Sequence, residues 1–170
     1  MKQRLLILIT LLATGGISLN CVGPRTSEAL EIGRPAPEFK LPDLSGNAVS
    51  LTQYQGKIVL VDFWATWCGP CRLSMPLLED LQKEYPNELV LLAVNLQEPL
   101  DEVRQYVTAQ RIRSRVLLDE EGKVGRAYGS ESIPMQVLID QKGIVRDIQM
   151  GFSASMGTRL REEVRKLLGS

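Results

Sequence analysis

The stretch Val59-Leu-Val-Asp-Phe-Trp-Ala-Thr-Trp-Cys-Gly-Pro-Cys71 carries an apolar run straight into two cysteines placed where a helix should begin. From Ile58 to Trp64 the chain is apolar and rich in β-branched and aromatic residues apart from Asp62. An uninterrupted run of this kind fits a central parallel strand covered on both faces. Beyond Cys71 the period changes from 2 to 3.6. Leu77, Leu78, Leu81 and Tyr85 form one stripe, while Glu79, Asp80, Lys83 and Glu84 lie elsewhere. The pattern predicts a helix that starts near Cys68 and ends before Pro86.

Cys68 then sits at a helix N-terminus, where unpaired N–H groups and the positive dipole end lower a thiol pKa below its free value of about 8.5. Cys71 lies one turn further in, within reach for a disulfide and more shielded, which suits a resolving thiol. Two plainer readings compete: a structural bridge and half of a zinc site. The chain has no second Cys-x-x-Cys and no histidine, so a four-ligand zinc site would need carboxylates. A structural bridge across so short a loop gains little chain entropy. Redox chemistry is the reading that the strand-then-motif context favours.

These residues carry a family resemblance. The segment Val61-Asp-Phe-Trp-Ala-Thr-Trp-Cys-Gly-Pro-Cys71 resembles the active site of thioredoxin, with Pro76 matching the proline that kinks its second helix. The longer chain is more similar to the extracytoplasmic thioredoxin-like proteins of the TlpA and ResA type. Those carry an N-terminal anchor, a leading hairpin, and an inserted helix and strand. The matching stretches are Pro37 to Gly56, then Val94-Asn-Leu-Gln-Glu98 through Val116-Leu-Leu-Asp119, and Ile133-Pro-Met-Gln-Val-Leu-Ile-Asp140. The resemblance covers roughly Ile32 to the C-terminus.

The 170 residues, 44% of them hydrophobic, suffice for one domain with a real core. Twenty basic residues balance twenty acidic ones, so no net field recommends nucleic acid as a partner. Lys2 and Arg4 precede an uncharged stretch from Leu5 to Pro24 with an apolar heart at Leu5 to Leu12. Residues 1–24 read as a signal peptide or membrane anchor. As a helix, those twenty uncharged residues reach about 30 Å, just enough to span a bilayer, but Thr14, Gly15, Gly16, Ser18 and Asn20 dilute the second half. An uncleaved anchor, a lipoprotein acylated at Cys21 and a cleaved, soluble product are all open. Ser18 and Asn20 depart from the usual lipoprotein pattern before the cysteine. All three readings place the domain outside the cytoplasmic membrane, with the basic start inside.

Residues 25–34 form a polar linker, and residues 35–170 a single domain. Phe39-Lys-Leu41 and Val49-Ser-Leu51 alternate around Ser45-Gly-Asn47 as a hairpin. Leu51 to Gln55 reads as a helical turn. Leu89 to Leu96 is a second buried strand, Asp101 to Gln110 a helix, Val116 to Asp119 a short strand and Gly122 to Tyr128 a short helical piece. Met135 to Ile139 and Ile144 to Gly151 form a last hairpin, and Leu160, Val164, Leu167 and Leu168 make the stripe of a closing helix. The result is an α/β chain with a mixed central sheet and helices on both faces. The resemblance makes it a thioredoxin-like fold with an N-terminal β-hairpin and an inserted helix and strand.

Four further positions bear on chemistry. Asp62 interrupts an apolar strand, and a buried carboxylate without a partner should have a raised pKa. The resemblance gives it the role of thioredoxin's buried aspartate, assisting proton transfer at the resolving cysteine. The plainer reading is a strand-edge acid satisfied by backbone donors. ResA-type proteins generally carry another residue here, so the chain mixes two patterns. Glu98 ends the second strand before Pro99; the ResA-like pattern puts a glutamate near the cysteine pair, and a solvated loop acid is the alternative. Pro134, after Ile133, matches the cis proline that faces the disulfide in thioredoxin folds. Residue 133 then offers backbone groups to a substrate strand. The bland alternative is a trans proline at a strand's first residue. Trp67 reads as exposed contact surface beside Cys68, and Trp64 as core.

The combined expectation is an extracytoplasmic thiol-disulfide oxidoreductase that reduces partner disulfides through Cys68 and Cys71, with no metal or other cofactor. The resemblance implies disulfide-containing clients, apocytochrome c among them, and a membrane electron donor. The runner-up is a peroxiredoxin-like thiol peroxidase, whose Pro-x-x-x-Thr-x-x-Cys pattern the residues before Cys68 do not supply. A non-enzymatic, membrane-anchored binding module using the groove beside Pro134 is the third reading.

Overall fold

The computed structural model describes residues 30–169. The expected signal or anchor over residues 1–24, the candidate lipid site at Cys21 and the first half of the linker lie outside them. Among the described residues no helix is long and apolar enough to cross a membrane.

A hairpin of β1 (Lys40–Pro42) and β2 (Ala48–Ser50) comes first. One carboxylate oxygen of Asp43 ties its tip by accepting the N–H groups of Ser45 and Asn47, each at 2.9 Å. A 3-10 turn over Leu51–Tyr54 leads into β3 (Ile58–Trp64), α1 (Gly69–Glu84), β4 (Leu89–Leu96), α2 (Leu100–Gln110) and β5 (Arg115–Asp119). The chain closes with α3 (Lys123–Ala127), β6 (Met135–Ile139), β7 (Val145–Met150) and α4 (Met156–Leu168). These bounds fall within one or two residues of the sequence expectation, except that α4 begins four residues before Leu160, where its expected stripe starts.

The main sheet has the order β5-β4-β3-β6-β7, with β3 at its centre. β4 runs parallel to β3 and β5 parallel to β4, while β6 and β7 are antiparallel to their neighbours. Every residue of β3 is buried, as the unbroken apolar run requires of a strand covered on both sides.

The two faces are covered differently. Ile58 and Leu60 of β3 pack with Leu78 and Leu81 of α1 and with Met156, Leu160 and Val164 of α4. Further along the same face, Trp64, Ala93, Val116 and Leu118 meet Val103 of α2 and the two cysteines. On the other face Val59, Val61 and Phe63 lie under the hairpin, the leading segment and α3. Alternation along β3 therefore puts Asp62 on the face covered by α1, α2 and α4.

Tyr128 anchors the second face. It is 1% exposed, and its ring centroid lies 5.2 Å from that of Phe63 and 6.1 Å from that of Phe39. Its hydroxyl donates to the carbonyl of Pro37 at 2.7 Å, pinning the leading segment to the sheet. Replacing Tyr128 with Phe keeps the ring contacts and leaves that carbonyl without its donor, a loss of about 1–2 kcal/mol. The denaturant midpoint of Tyr128→Phe should fall with an unchanged slope. An unchanged midpoint would show that the hydroxyl holds nothing.

Candidate active site

β3 ends at Trp64, and four residues later Cys68 caps α1 with an extended backbone (φ −78°, ψ 102°). The cap is a sulfur: the backbone N–H of Cys71 donates to Cys68 Sγ at 3.2 Å. Pro70 occupies one of the first helical positions, where a missing N–H breaks no helical bond. Cys68 and Cys71 form a disulfide with a Cα–Cα distance of 5.3 Å. Sequence reasoning expects Cys71 to be the more shielded, and it is by a small margin, at 2% exposed against 4% for Cys68. Packing of both into the cluster around Trp64 and Met75 removes most of the difference.

Two apolar side chains mark the surface around this nearly covered bridge. Trp67, one residue before Cys68, is 69% exposed, and Leu73 is 58% exposed. Trp64 is buried, as expected. The Ile133–Pro134 peptide is cis. Ile133 packs against the cluster that contains both cysteines, and the carbonyl of Pro134 accepts the N–H of Gly151 at 2.7 Å.

Glu98 lies two residues beyond β4 and is 6% exposed, which contradicts a solvated loop acid. Its carboxylate accepts the backbone N–H of Thr66 at 2.8 Å, the Thr66 hydroxyl at 2.5 Å and Asn95 Nδ2 at 2.6 Å. Before it, Gln97 takes a left-handed conformation (φ 57°) that turns the chain back toward the loop leading to Cys68. From the other side, Arg72 donates to the Thr66 carbonyl at 3.2 Å while its guanidinium lies 5.8 Å from the Tyr106 ring centroid. Thr66 is thus held through its N–H, its hydroxyl and its carbonyl. A cavity of about 90 Å³ opens beside Cys71, lined by Trp64, Arg72, Met75 and Tyr106.

Asp62 is fully buried, and Gln136 Nε2 donates to its Oδ1 at 2.6 Å. Its partner is a side chain from β6, so the reading of an acid satisfied by backbone donors does not apply. Burial pushes its pKa up to about 7, with the Gln136 amide pulling the other way.

Thr66, Asn95, Arg72 and Gln136 are absent from the sequence-derived site. Asn95 and Gln136 carried the same signal as Asp62: a polar residue inside an apolar strand. Thr66 and Arg72 carried none: Glu98 lies 32 residues from Thr66, and Arg72 meets Thr66 and Tyr106 only through the fold.

A family model described as the AhpC/TSA family matches residues 32–148. Thioredoxin-like protein YneN of Bacillus subtilis is 36% identical over 149 residues, 86% of this chain and 87% of that protein. The thiol-disulfide oxidoreductase ResA of Geobacillus thermodenitrificans is 34% identical over 169 residues, 99% of this chain and 94% of its own length. Among solved structures, a Chlorobium tepidum protein assigned as a thiol:disulfide interchange protein, DsbE, superposes with a TM-score of 0.79 at 33% identity. It covers 83% of this chain and 100% of that one.

The raised pKa of Asp62 has a consequence for stability. A carboxyl whose folded pKa lies near 7, against about 3.9 in the unfolded chain, keeps its proton in the fold at pH values where the unfolded chain has lost it. Stability from this group is therefore fully present below about pH 4 and is lost as pH rises to about 7. The loss amounts to about 4 kcal/mol at 1.36 kcal/mol per pKa unit. Asp62→Asn should remove this slope, so that it gains on the wild type between about pH 4 and pH 8 in denaturant titrations. A difference between the two proteins that stays constant with pH would exclude a raised Asp62 pKa.

Proposed function

Since the chain belongs to the AhpC/TSA family and is a thiol-disulfide oxidoreductase acting on disulfide-containing clients, we propose that it works as a reductant on the outer side of the cytoplasmic membrane. The observation that carries this reading is the cap of α1: a cysteine sulfur that accepts an N–H at a helix start, followed by the uncharged Gly69-Pro70 pair. Apocytochrome c is one client class, and a membrane electron donor is the other partner. Residues 1–24 hold the protein at the membrane, as an anchor or through lipid on Cys21.

In the reduced protein, the Cys68 thiolate attacks one sulfur of a client disulfide. A mixed disulfide forms and one client thiolate leaves. Asp62 takes the proton of the Cys71 thiol, and the resulting thiolate attacks Cys68 Sγ. That step expels the second client thiolate and closes the Cys68–Cys71 bridge. Both client thiolates take up protons, and two electrons have passed to the client. The donor returns two electrons and two protons to restore the dithiol. Trp67, Ile133 and Pro134 form the surface on which the client chain lies. Glu98 acts at a distance from the sulfurs, by fixing Thr66.

The geometry also favours an unequal pair. The N-terminus of α1 and the Cys71 N–H stabilise negative charge on Cys68 alone. Alkylation of Cys71→Ser should therefore begin at lower pH than alkylation of Cys68→Ser; coincident pH profiles would remove the assignment of Cys68 as nucleophile.

Direction rests on what the cysteines lack. Strong oxidants of this chemistry over-stabilise the first thiolate, and Gly69-Pro70 adds no charge to do so, while Asp62 places negative potential on the same face. The midpoint potential should lie near the thioredoxin value of about −270 mV rather than the strong-oxidant value of about −120 mV. For a two-electron couple that gap is roughly 7 kcal/mol, so a redox titration separates the outcomes. A midpoint above about −180 mV would make the protein an oxidant or isomerase. Consumption of peroxide by the dithiol, measured alongside, would favour the thiol-peroxidase alternative.

A further inference from the structure

Strands β3, β6 and β7 set Asp62, Gln136 and Gln149 side by side, each the register partner of the next. All three lie on the helix-covered face and are buried, at 0%, 1% and 8% exposure. Gln136 supplies the one hydrogen bond that the Asp62 side chain receives among the described residues, to Oδ1. The other oxygen, Oδ2, is buried with no partner among them. The two oxygens are therefore unlike. An amide N–H stabilises charge on Oδ1 and still donates to it, more weakly, when the carboxyl is neutral. A proton arriving on Oδ2 breaks no hydrogen bond, so Asp62 can change its protonation state without repacking its surroundings.

We propose that Gln136 is the positioning residue of Asp62: it fixes Oδ1 by donating to it and leaves Oδ2 as the oxygen that takes the proton. This rests on the reading of Asp62 as proton acceptor. In that step the proton leaves Cys71 Sγ and ends on Oδ2, with no change in oxidation state.

Other polar groups on this face do not substitute for the amide. From α1 the face receives Cys68, Cys71 and Ser74, and the Ser74 hydroxyl is committed to the Cys71 carbonyl at 3.0 Å. β4 contributes Asn95, whose amide donates to Glu98. β7 contributes Asp147 beside Gln149, and Arg159 of α4 pairs with Asp147 at 2.6 Å. Removing the Gln136 amide therefore leaves Asp62 with burial alone, the larger of the two influences on its pKa.

Carbon-13 NMR of the Asp62 carboxyl, assigned by its disappearance in Asp62→Asn, gives the test in the oxidised protein. In Gln136→Met the titration midpoint should move up by about one pH unit or more, a tenfold gain in proton affinity. Gln136→Leu provides the same reading with a branched side chain should the methionine variant fail to fold. A midpoint in either folded variant that is unchanged or lower overturns the proposal. The pH profile of client-thiol release in a single turnover should shift by the same amount. If the Asp62 titration moves and this profile does not, Gln136 positions Asp62 as proposed, and the reading of Asp62 as the acceptor in catalysis falls.

Discussion

The backbone N–H of Cys71 points at the sulfur of Cys68, and the site depends on keeping that geometry. It exists because a fully buried central strand ends only a few residues before a helix begins. The intervening loop is too short to shape itself, so it is held from outside. Glu98, itself held by the Asn95 amide, grips Thr66 from the β4 side, and Arg72 grips it from the first turn of α1. The cysteine that must meet a client is thereby attached to the sheet through its neighbours, while its own side chain remains free to react. Access is narrow. Both sulfurs are nearly covered, and the exposed surface belongs to Trp67 and Leu73. In the proposed function a client is seated on this apolar contact area before its disulfide reaches Cys68, which suits extended protein substrates better than small thiols.

Two buried carboxyls lie near this loop, and the sheet treats them in opposite ways. Glu98 receives three hydrogen bonds and organises the backbone of the loop. Asp62 receives one, and one of its oxygens has no partner among the described residues. A carboxylate satisfied by several donors serves as a fixed point for the backbone around it. One that is only half satisfied in an apolar layer exchanges its proton near neutral pH. Local hydrogen bonding thus separates a clamp on the loop from a carboxyl with a raised pKa, although the two side chains carry the same functional group.

Most of the architecture was legible because its signals are local. The unbroken run from Ile58 to Trp64, the switch to helical period after Cys71 and the Ser45-Gly-Asn47 turn each fix an element from neighbours in sequence. The chain around the cysteines, Asp62 and Pro134 was readable for a second reason, its likeness to a known active-site segment. What remained hidden is the long-range pairing. Glu98 had an ambiguous reading as a strand-end acid, and only its contact with Thr66, 32 residues away, decides between clamp and solvated charge. Gln136 meets Asp62 across 74 residues of chain. The near-equal burial of the two cysteines is likewise a product of packing against α2 and Trp64, which periodicity does not encode.

The row formed by Asp62, Gln136 and Gln149 shows how the fold tolerates such chemistry in its interior. Each of these side chains carries a buried oxygen with no partner among the described residues, and such a group costs about 1–3 kcal/mol when left unpaired. Against a typical domain stability of 5–15 kcal/mol, three of them are a substantial burden. Replacing all three with apolar residues of similar size would relieve it and would fit the apolar side chains that make up most of this layer. Retaining them has a physical rationale only if the row does something that leucine cannot. An acid whose charge is supported by a neutral amide from the adjacent strand meets that condition. The cross-strand register delivers the amide, and the apolar faces of α1 and α4 keep solvent from setting the acid's pKa in its place.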